Sequence, residues 1–489
     1  MFAIDIHKLL HQFVYDIKAP MIFNSGFFLL LFAVFLLIYL FLHKTKRAKM
    51  IFVALFSFYF YYKSSGFYFY LLIISIIVDY YLAYWISITK HKKRRLWLLV
   101  FSLVVNLGLL AYFKYTNFFY EIFCNISNLN FKGFDIFLPV GISFFTFQSL
   151  SYTIDVYRKE IKPVKSILDY AFFVSFFPQL VAGPIVRAKD FLPQINLPTI
   201  VTREMFGRAI FLITIGLFKK AVISDYISLN FVDRIFDNPM LYTGIENLFG
   251  VYAYAMQIYC DFSGYSDMAI GIALLLGFHF NINFNSPYKS SSITEFWRRW
   301  HISLSTWLRD YLYISMGGNR KGKVRTYLNL FITMLVGGIW HGAAFKFILW
   351  GALHGTALGI EKFVKSIFTM KKNRISKIIG IILTFHFVCF CWIFFRSADM
   401  NIASQMITRI FTAFNSQVFL SLIIGYKWVM LLLAIGFMLH FSSVKLETKA
   451  QELVIRMPLL IKALLLVGII FLVMQVKSSD IQPFIYFQF

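Results

Sequence analysis

Two histidines in this chain sit where an imidazole can do chemistry. His301 lies in SSSITEFWRRWHISLSTWL, residues 290–308, and His341 in LVGGIWHGAA, residues 335–344. A neutral imidazole is a general base near pH 7, and an ionisable group inside an apolar segment is costly unless it is used or paired. Around His341, the residues Gly337, Gly338 and Gly342 strip bulk from the helix, so a second helix or a substrate can approach the backbone closely. The plainer alternative for either histidine is a packing residue hydrogen-bonded across an interface. Four carboxylates also interrupt apolar runs: Asp79, Asp155, Asp261 and Asp267. Each must be paired, protonated or wet. Asp261 and Asp267 bracket Ser263, Gly264, Tyr265 and Ser266, a polar island that reads as cavity-lining, although neutralising a nearby Lys or Arg is the commoner use of such residues. No metal site is expected, because His341 and His354 lack ligand spacing and His386 with Cys389 is an isolated pair. Phosphate loops, dinucleotide fingerprints and nucleophile elbows are missing from the sequence.

The elements that carry these residues belong to a membrane. Of 489 residues 59% are apolar and 15% charged, with a mean hydropathy of +0.69, whereas soluble domains carry roughly 25% charged residues. Soluble enzymes, disordered chains and fibres are thereby excluded. The net charge of +25 would suggest nucleic acid on a soluble domain. Here the basic residues fall in short clusters between apolar runs, so they report topology, and lipid is the expected environment.

At about 20 residues per crossing, some eleven runs qualify as spans, giving an all-α polytopic protein with additional re-entrant and interfacial helices. Residues 1–20 place Ile6, Leu9, Leu10, Phe13 and Ile17 on one face, as in a helix lying on the membrane or in a cap on the first span. Residues 21–476 form one transmembrane domain, and 477–489 a tail. Basic clusters at Lys44 to Lys49, Lys90 to Arg95, Arg158 to Lys165, Arg320 to Arg325, Lys362 to Lys377 and Lys445 to Lys462 belong in the cytoplasm, which puts both termini outside. Pro139, Gly141, Pro178, Gly183 and Pro184 forbid straight lipid-exposed helices, so those segments should be broken and line a cavity. Ser292 and Glu295 read as a capping box starting a helix on which Trp297, Trp300, His301, Leu304 and Leu308 share a face and Glu295 pairs with Arg299.

Long stretches then resemble a known family. WRRWHISLSTWLRDYLYISMGGNR followed by GGIWHGAAFKFILWGALHG is similar to the signature of the membrane-bound O-acyltransferases, nearest to alginate and peptidoglycan O-acetyltransferases. LPVGISFFTFQSLSYTIDVYR, FFPQLVAGPIVR and YCDFSGYSDMAIGIALLLGF resemble the same branch, so the core motifs run from about residue 100 to 360. The resemblance implies a ring of tilted helices around a thin centre with a funnel on each side. His341 maps onto the family's invariant histidine and His301 onto its second. Acetyl-CoA is the implied donor, with Arg298, Arg299, Arg320, Lys321, Trp300 and Trp340 around it, although a purely topological role for the cations is equally compatible. Asp261, Asp267, Gly337 and Gly338 are expected to line the cavity. An extracytoplasmic SGNH-type, serine-hydrolase-like partner is implied, working with a bacterial inner-membrane protein on a cell-surface polysaccharide. Peptidoglycan is preferred as acceptor; alginate or another exopolysaccharide, D-alanyl transfer to teichoic acid, and a transporter or flippase are the alternatives. The tail IQPFIYFQF resembles an aromatic motif of cell-surface acylation systems, which implies Tyr486 as a transient acyl carrier, against the simpler reading of an interfacial anchor.

Overall fold

A computed structural model describes residues 11–17, 20–42, 45–368, 373–476 and 484–485. Most of the expected N-terminal surface helix and most of the tail, Tyr486 included, lie outside the described residues. Among the described residues every regular element is helical. Contacts divide the chain into two units, one within Met1–Val201 and Ile272–Asn281, the other within Thr202–Gly271 and Ile282–Phe487.

The first unit is built from α1 (Gly26–Phe41), α2 (Lys46–Ser65), α3 (Phe69–Ile88), α4 (Lys92–Ile126), α5 (Ile142–Arg158) and α6 (Ile167–Ser175). Ser25 caps α1 by accepting from the Phe28 N–H, and the buried rings of Phe28, Phe35, Phe56 and Phe60 close around Phe177. Asp79 is fully buried and is satisfied by neutral donors, with Ser102 Oγ at 2.6 Å and Asn106 Nδ2 at 2.8 Å. The expected breaks occur where proline and glycine put them. Gly141 has φ 78° just ahead of α5, and a Cβ there would stand 2.8 Å from the Leu180 carbonyl. Beyond α6 the chain makes one turn at Phe177–Leu180 and continues without helix through Val186.

The second unit holds α7 (Arg203–Leu217), α8 (Gly244–Leu275, of which residues to Gly271 belong here), α9 (Ile293–Trp297), α10 (Ile302–Trp307), α11 (Lys323–His341), α12 (Phe345–Ile367), α13 (Arg374–Arg396) and α14 (Leu459–Val476). Gly216 of α7 and Gly264 of α8 let two backbones touch: a Cβ on either would lie 2.6 or 2.7 Å from the other's carbonyl oxygen. Immediately after α7, Phe218–Ser224 widens into a π-helical turn, which aims Lys219 at Asp267 (2.8 Å) and Lys220 at Asp261 (2.6 Å).

The all-helical fold carries several apolar membrane-spanning helices. Among the described residues four helical stretches are long and apolar enough: Lys46–Ile88, Lys92–Ile126, Arg374–Arg396 and Leu459–Val476. Two more arise if the bent pairs Met400–Thr412 with Ser416–Gly425 and Lys427–Phe441 with Val444–Arg456, turned by 95° and 97°, each count as one. Polar residues, glycines and sharp bends divide other apolar runs into shorter or less apolar helices.

Candidate active site

Glycine sets the position of His341. A Cβ on Gly338 would stand 2.3 Å from the Phe347 carbonyl oxygen and 3.0 Å from the Gly351 backbone, and one on Gly351 would stand 2.5 Å from the Met334 carbonyl. Helices α11 and α12 therefore meet backbone to backbone. His341 ends α11 and is buried, with the rings of Trp340, Trp350 and Phe395 centred 5.0, 5.0 and 5.2 Å from the imidazole.

The single helix expected across residues 290–308 is corrected. It starts as read, with Ser292 Oγ accepting from the Glu295 N–H, and Glu295 does pair with Arg299 at 2.9 Å. Glu295 reaches back to Ser291, however, accepting from its N–H and its hydroxyl at 2.9 Å each. Partial burial pushes the Glu295 carboxyl up; these donors and the Arg299 guanidinium outweigh it and hold the group below its usual range. The helix then stops at Trp297, because His301 takes a left-handed backbone, φ 41°, and caps a new short helix, α10. That conformation costs of order 1–3 kcal/mol for a residue with a Cβ. It is offset by a second strand of chain: the Asn283 carbonyl accepts from the Ile302 N–H, and the Asn285 N–H donates to the Arg299 carbonyl, both at 2.9 Å.

The same Asn283 fixes the imidazole. Its Oδ1 lies 3.2 Å from His301 Nδ1 and accepts from the Ser303 hydroxyl at 2.9 Å and the Ser303 N–H at 3.2 Å, while its Nδ2 donates to Ser266 Oγ at 3.1 Å. An amide oxygen facing Nδ1 requires the proton there, which makes Nε2 the basic nitrogen of His301. His301 and His341 flank one indole: Trp340 is centred 6.2 Å from the first and 5.0 Å from the second.

A cavity of about 650 Å³ adjoins this region. Arg298, Arg309, Lys362 and Lys365 supply its positive lining, and Ile302, Leu308, Leu330 and Met334 its apolar lining. Within it Glu361 accepts from the Thr294 N–H at 2.9 Å and pairs with Lys365. Neither histidine is a lining residue; Ile302 adjoins His301 in the chain, and the lining residue Trp297 packs on Trp350, whose ring is 5.0 Å from His341. Of the six expected donor-binding residues only Arg298 lines the cavity. Arg299 is engaged by Glu295 and by the Asn285 carbonyl at 3.0 Å. Trp300 is a core ring, 5.1 Å from Phe284 and 5.0 Å from Trp392, and Trp340 is buried between the histidines. Arg320 and Lys321 lie on the exposed turn after Gly318. Asp261, Asp267, Gly337 and Gly338 are not lining residues: the acids are ion-paired, Gly338 is at the helix contact, and Gly337 stands behind Leu308, which lines the cavity.

Residues the sequence reading passed over include Asn283, which sits in no recognisable motif, and Arg309. Lys362 and Lys365 carry a signal in the sequence, since they open a basic cluster. His354 lacks metal-ligand spacing in the sequence; its Nδ1 accepts from the indole N–H of Trp297, a cavity residue, at 3.3 Å.

A helical membrane fold with two buried histidines near a cation-lined cavity suits a membrane-embedded group-transfer enzyme. The chain belongs to the membrane-bound O-acyltransferase family, whose profile matches residues 58–404, and it is an acyltransferase. It is similar to the probable alginate O-acetylase AlgI of Pseudomonas putida, 36% identical over 96% of this chain and 100% of that one. The peptidoglycan O-acetyltransferase of Helicobacter pylori is 39% identical over 68% of each chain. The teichoic acid D-alanyltransferase of Bacillus subtilis is 32% identical over 54% of this chain and 69% of that one.

Proposed function

We propose that this enzyme transfers acetyl groups from cytoplasmic acetyl-CoA toward hydroxyls of a cell-surface polysaccharide, peptidoglycan, through an extracytoplasmic SGNH-type partner. The observation that carries the proposal is the pair of buried histidines about Trp340, next to a cavity lined by cations and apolar side chains. Such a lining suits a donor with phosphates at one end and an uncharged pantetheine arm at the other. The basic residues at the cavity also suit the cytoplasmic face, where Lys and Arg concentrate and where the donor is made.

In the proposed reaction His341 takes the proton of the acceptor hydroxyl as its oxygen attacks the thioester carbonyl. The C–O bond forms, the C–S bond breaks, and the CoA sulfur leaves with that proton. His301, its tautomer set by Asn283, orients the reacting groups. Tyr486 fits the hydroxyl that first accepts the acetyl group and passes it to the partner. Support for that role comes from its neighbours, since Phe484 and Ile485 are buried within the second unit.

Replacing His341 with Ala tests the assignment. Ester-linked acetate on the polymer should fall by at least about 10²-fold, the contribution of a positioned base, with the variant still present in the membrane. Undiminished acetylation by an inserted His341→Ala protein would overturn it. A second acceptor, an alginate-type exopolysaccharide, is favoured by similarity to the Pseudomonas putida relative over that protein's whole length. Base-labile acetate measured separately on purified peptidoglycan and exopolysaccharide, with and without the gene, separates the two.

A further inference from the structure

A buried charge pair in the second unit has more acid than it needs. Lys220 is 2% exposed and touches two carboxylates, Asp225 Oδ1 and Asp261 Oδ1, each at 2.6 Å. One cation shared between the buried carboxylate of Asp261 and the half-buried one of Asp225 leaves negative charge on Asp261 to be met by another donor. For Asp261 that donor is the chain's own C-terminal segment: the Ile485 N–H donates to Asp261 Oδ2 at 2.9 Å. Phe484, the preceding residue, is fully buried, centred 4.9 Å from the Tyr265 ring and 5.4 Å from Phe262. The Phe262 ring in turn lies edge-on to the His301 imidazole at 4.6 Å. Asp261, Phe262 and Tyr265 lie within about one turn of α8, so that turn holds the Ile485 backbone, holds the Phe484 ring and buttresses the histidine.

We propose that the Lys220–Asp261 pair is a clasp for the C-terminal segment, and that Asp261 is a positioning residue holding that segment one ring away from His301 during acyl transfer. This rests on the acyltransferase reading only for its effect on turnover; the clasp itself is readable without it. The arrangement has a physical economy. Asp261 would be a poor buried residue without its second donor, so seating of the tail and satisfaction of the buried carboxylate are one event.

The test uses the full-length protein in membranes with Ile485→Cys as a probe; Cys124, Cys260, Cys389 and Cys391 are all buried and give little background. With the clasp intact, maleimide labelling of position 485 should be slow. Asp261→Leu should speed it about tenfold or more, the effect of losing one hydrogen bond to a charged acceptor. Asp261→Asn keeps an acceptor oxygen and leaves Lys220 paired with Asp225, so labelling should stay within a few-fold of the parent. Equal labelling in the Leu and parent backgrounds would overturn the clasp. Should Asp261→Leu fail to accumulate, Ile485→Pro removes the donor while sparing the ion pair. It should lower kcat at least tenfold with donor KM unchanged, and Asp261→Asn should retain kcat. An unaltered kcat in Ile485→Pro would refute the positioning role. Absence of transfer even in the parent would instead count against the proposed reaction, with labelling still reporting on the clasp.

Discussion

Gly338→Ala adds a single methyl carbon, and its cost can be worked from the structure. The new Cβ would lie 2.3 Å from the Phe347 carbonyl oxygen, where carbon and oxygen ordinarily approach no closer than about 3.3 Å. The overlap of roughly 1 Å is with backbone, as are the 3.0 Å contacts to Gly351, so no side chain can rotate away. Helices α11 and α12 must part instead. Overpacking of this kind costs about 1–3 kcal/mol. His341 lies three residues further along the same face of α11, so it moves with the displaced backbone. A displacement near 1 Å of a catalytic group can lower the rate about 10²-fold. The assay is polymer acetylation alongside thermal unfolding of the purified protein in detergent, with Gly468→Ala in α14 as control, since a Cβ there meets nothing within 4 Å. The expected result is lost stability and a near-inactive Gly338→Ala enzyme beside an unaffected control. Parental activity and an unchanged melting temperature in Gly338→Ala would refute the claim that this helix contact positions His341.

Three further outcomes are expected. Asn283→Leu removes the oxygen that fixes the His301 tautomer and should cost roughly 10²-fold in kcat, whereas Asn283→Asp retains an acceptor and should lose less; equal losses would remove the tautomer argument. Neutralising Arg298 or Lys362 should raise the KM for acetyl-CoA several-fold with little change in kcat, and the difference from the parent should shrink at high salt, as measured by steady-state kinetics across ionic strength. Tyr486→Phe keeps the ring and deletes the hydroxyl; polymer acetate should disappear from a strain carrying it, and its retention would leave Tyr486 an anchor.

What the sequence determined was whatever depends on composition or on residues a few positions apart. Hydropathy and charge established a membrane protein, and ordered motifs around His301 and His341 established its family. Pro178, Gly141 and Gly183 marked where helices break, because proline lacks a donor, Gly141 takes a φ that other residues resist, and Gly183 lets the backbone approach the Pro178 carbonyl. Ser292 and the Glu295–Arg299 pair were legible because capping and i,i+4 contacts are local. Local patterning failed where a distant segment offered better bonds. The helical face drawn through Trp297, Trp300 and His301 does not exist, since Asn283 and Asn285 take the backbone groups that would have continued the helix. Only tertiary structure decided which nitrogen of His301 is basic, which cations share the cavity, and that the surplus carboxylate of Asp261 is met by a backbone N–H 224 positions away. Burial forces each polar group to find a partner, but the sequence does not say which one, because partners are chosen by the packing of helices whose faces meet only in the folded chain.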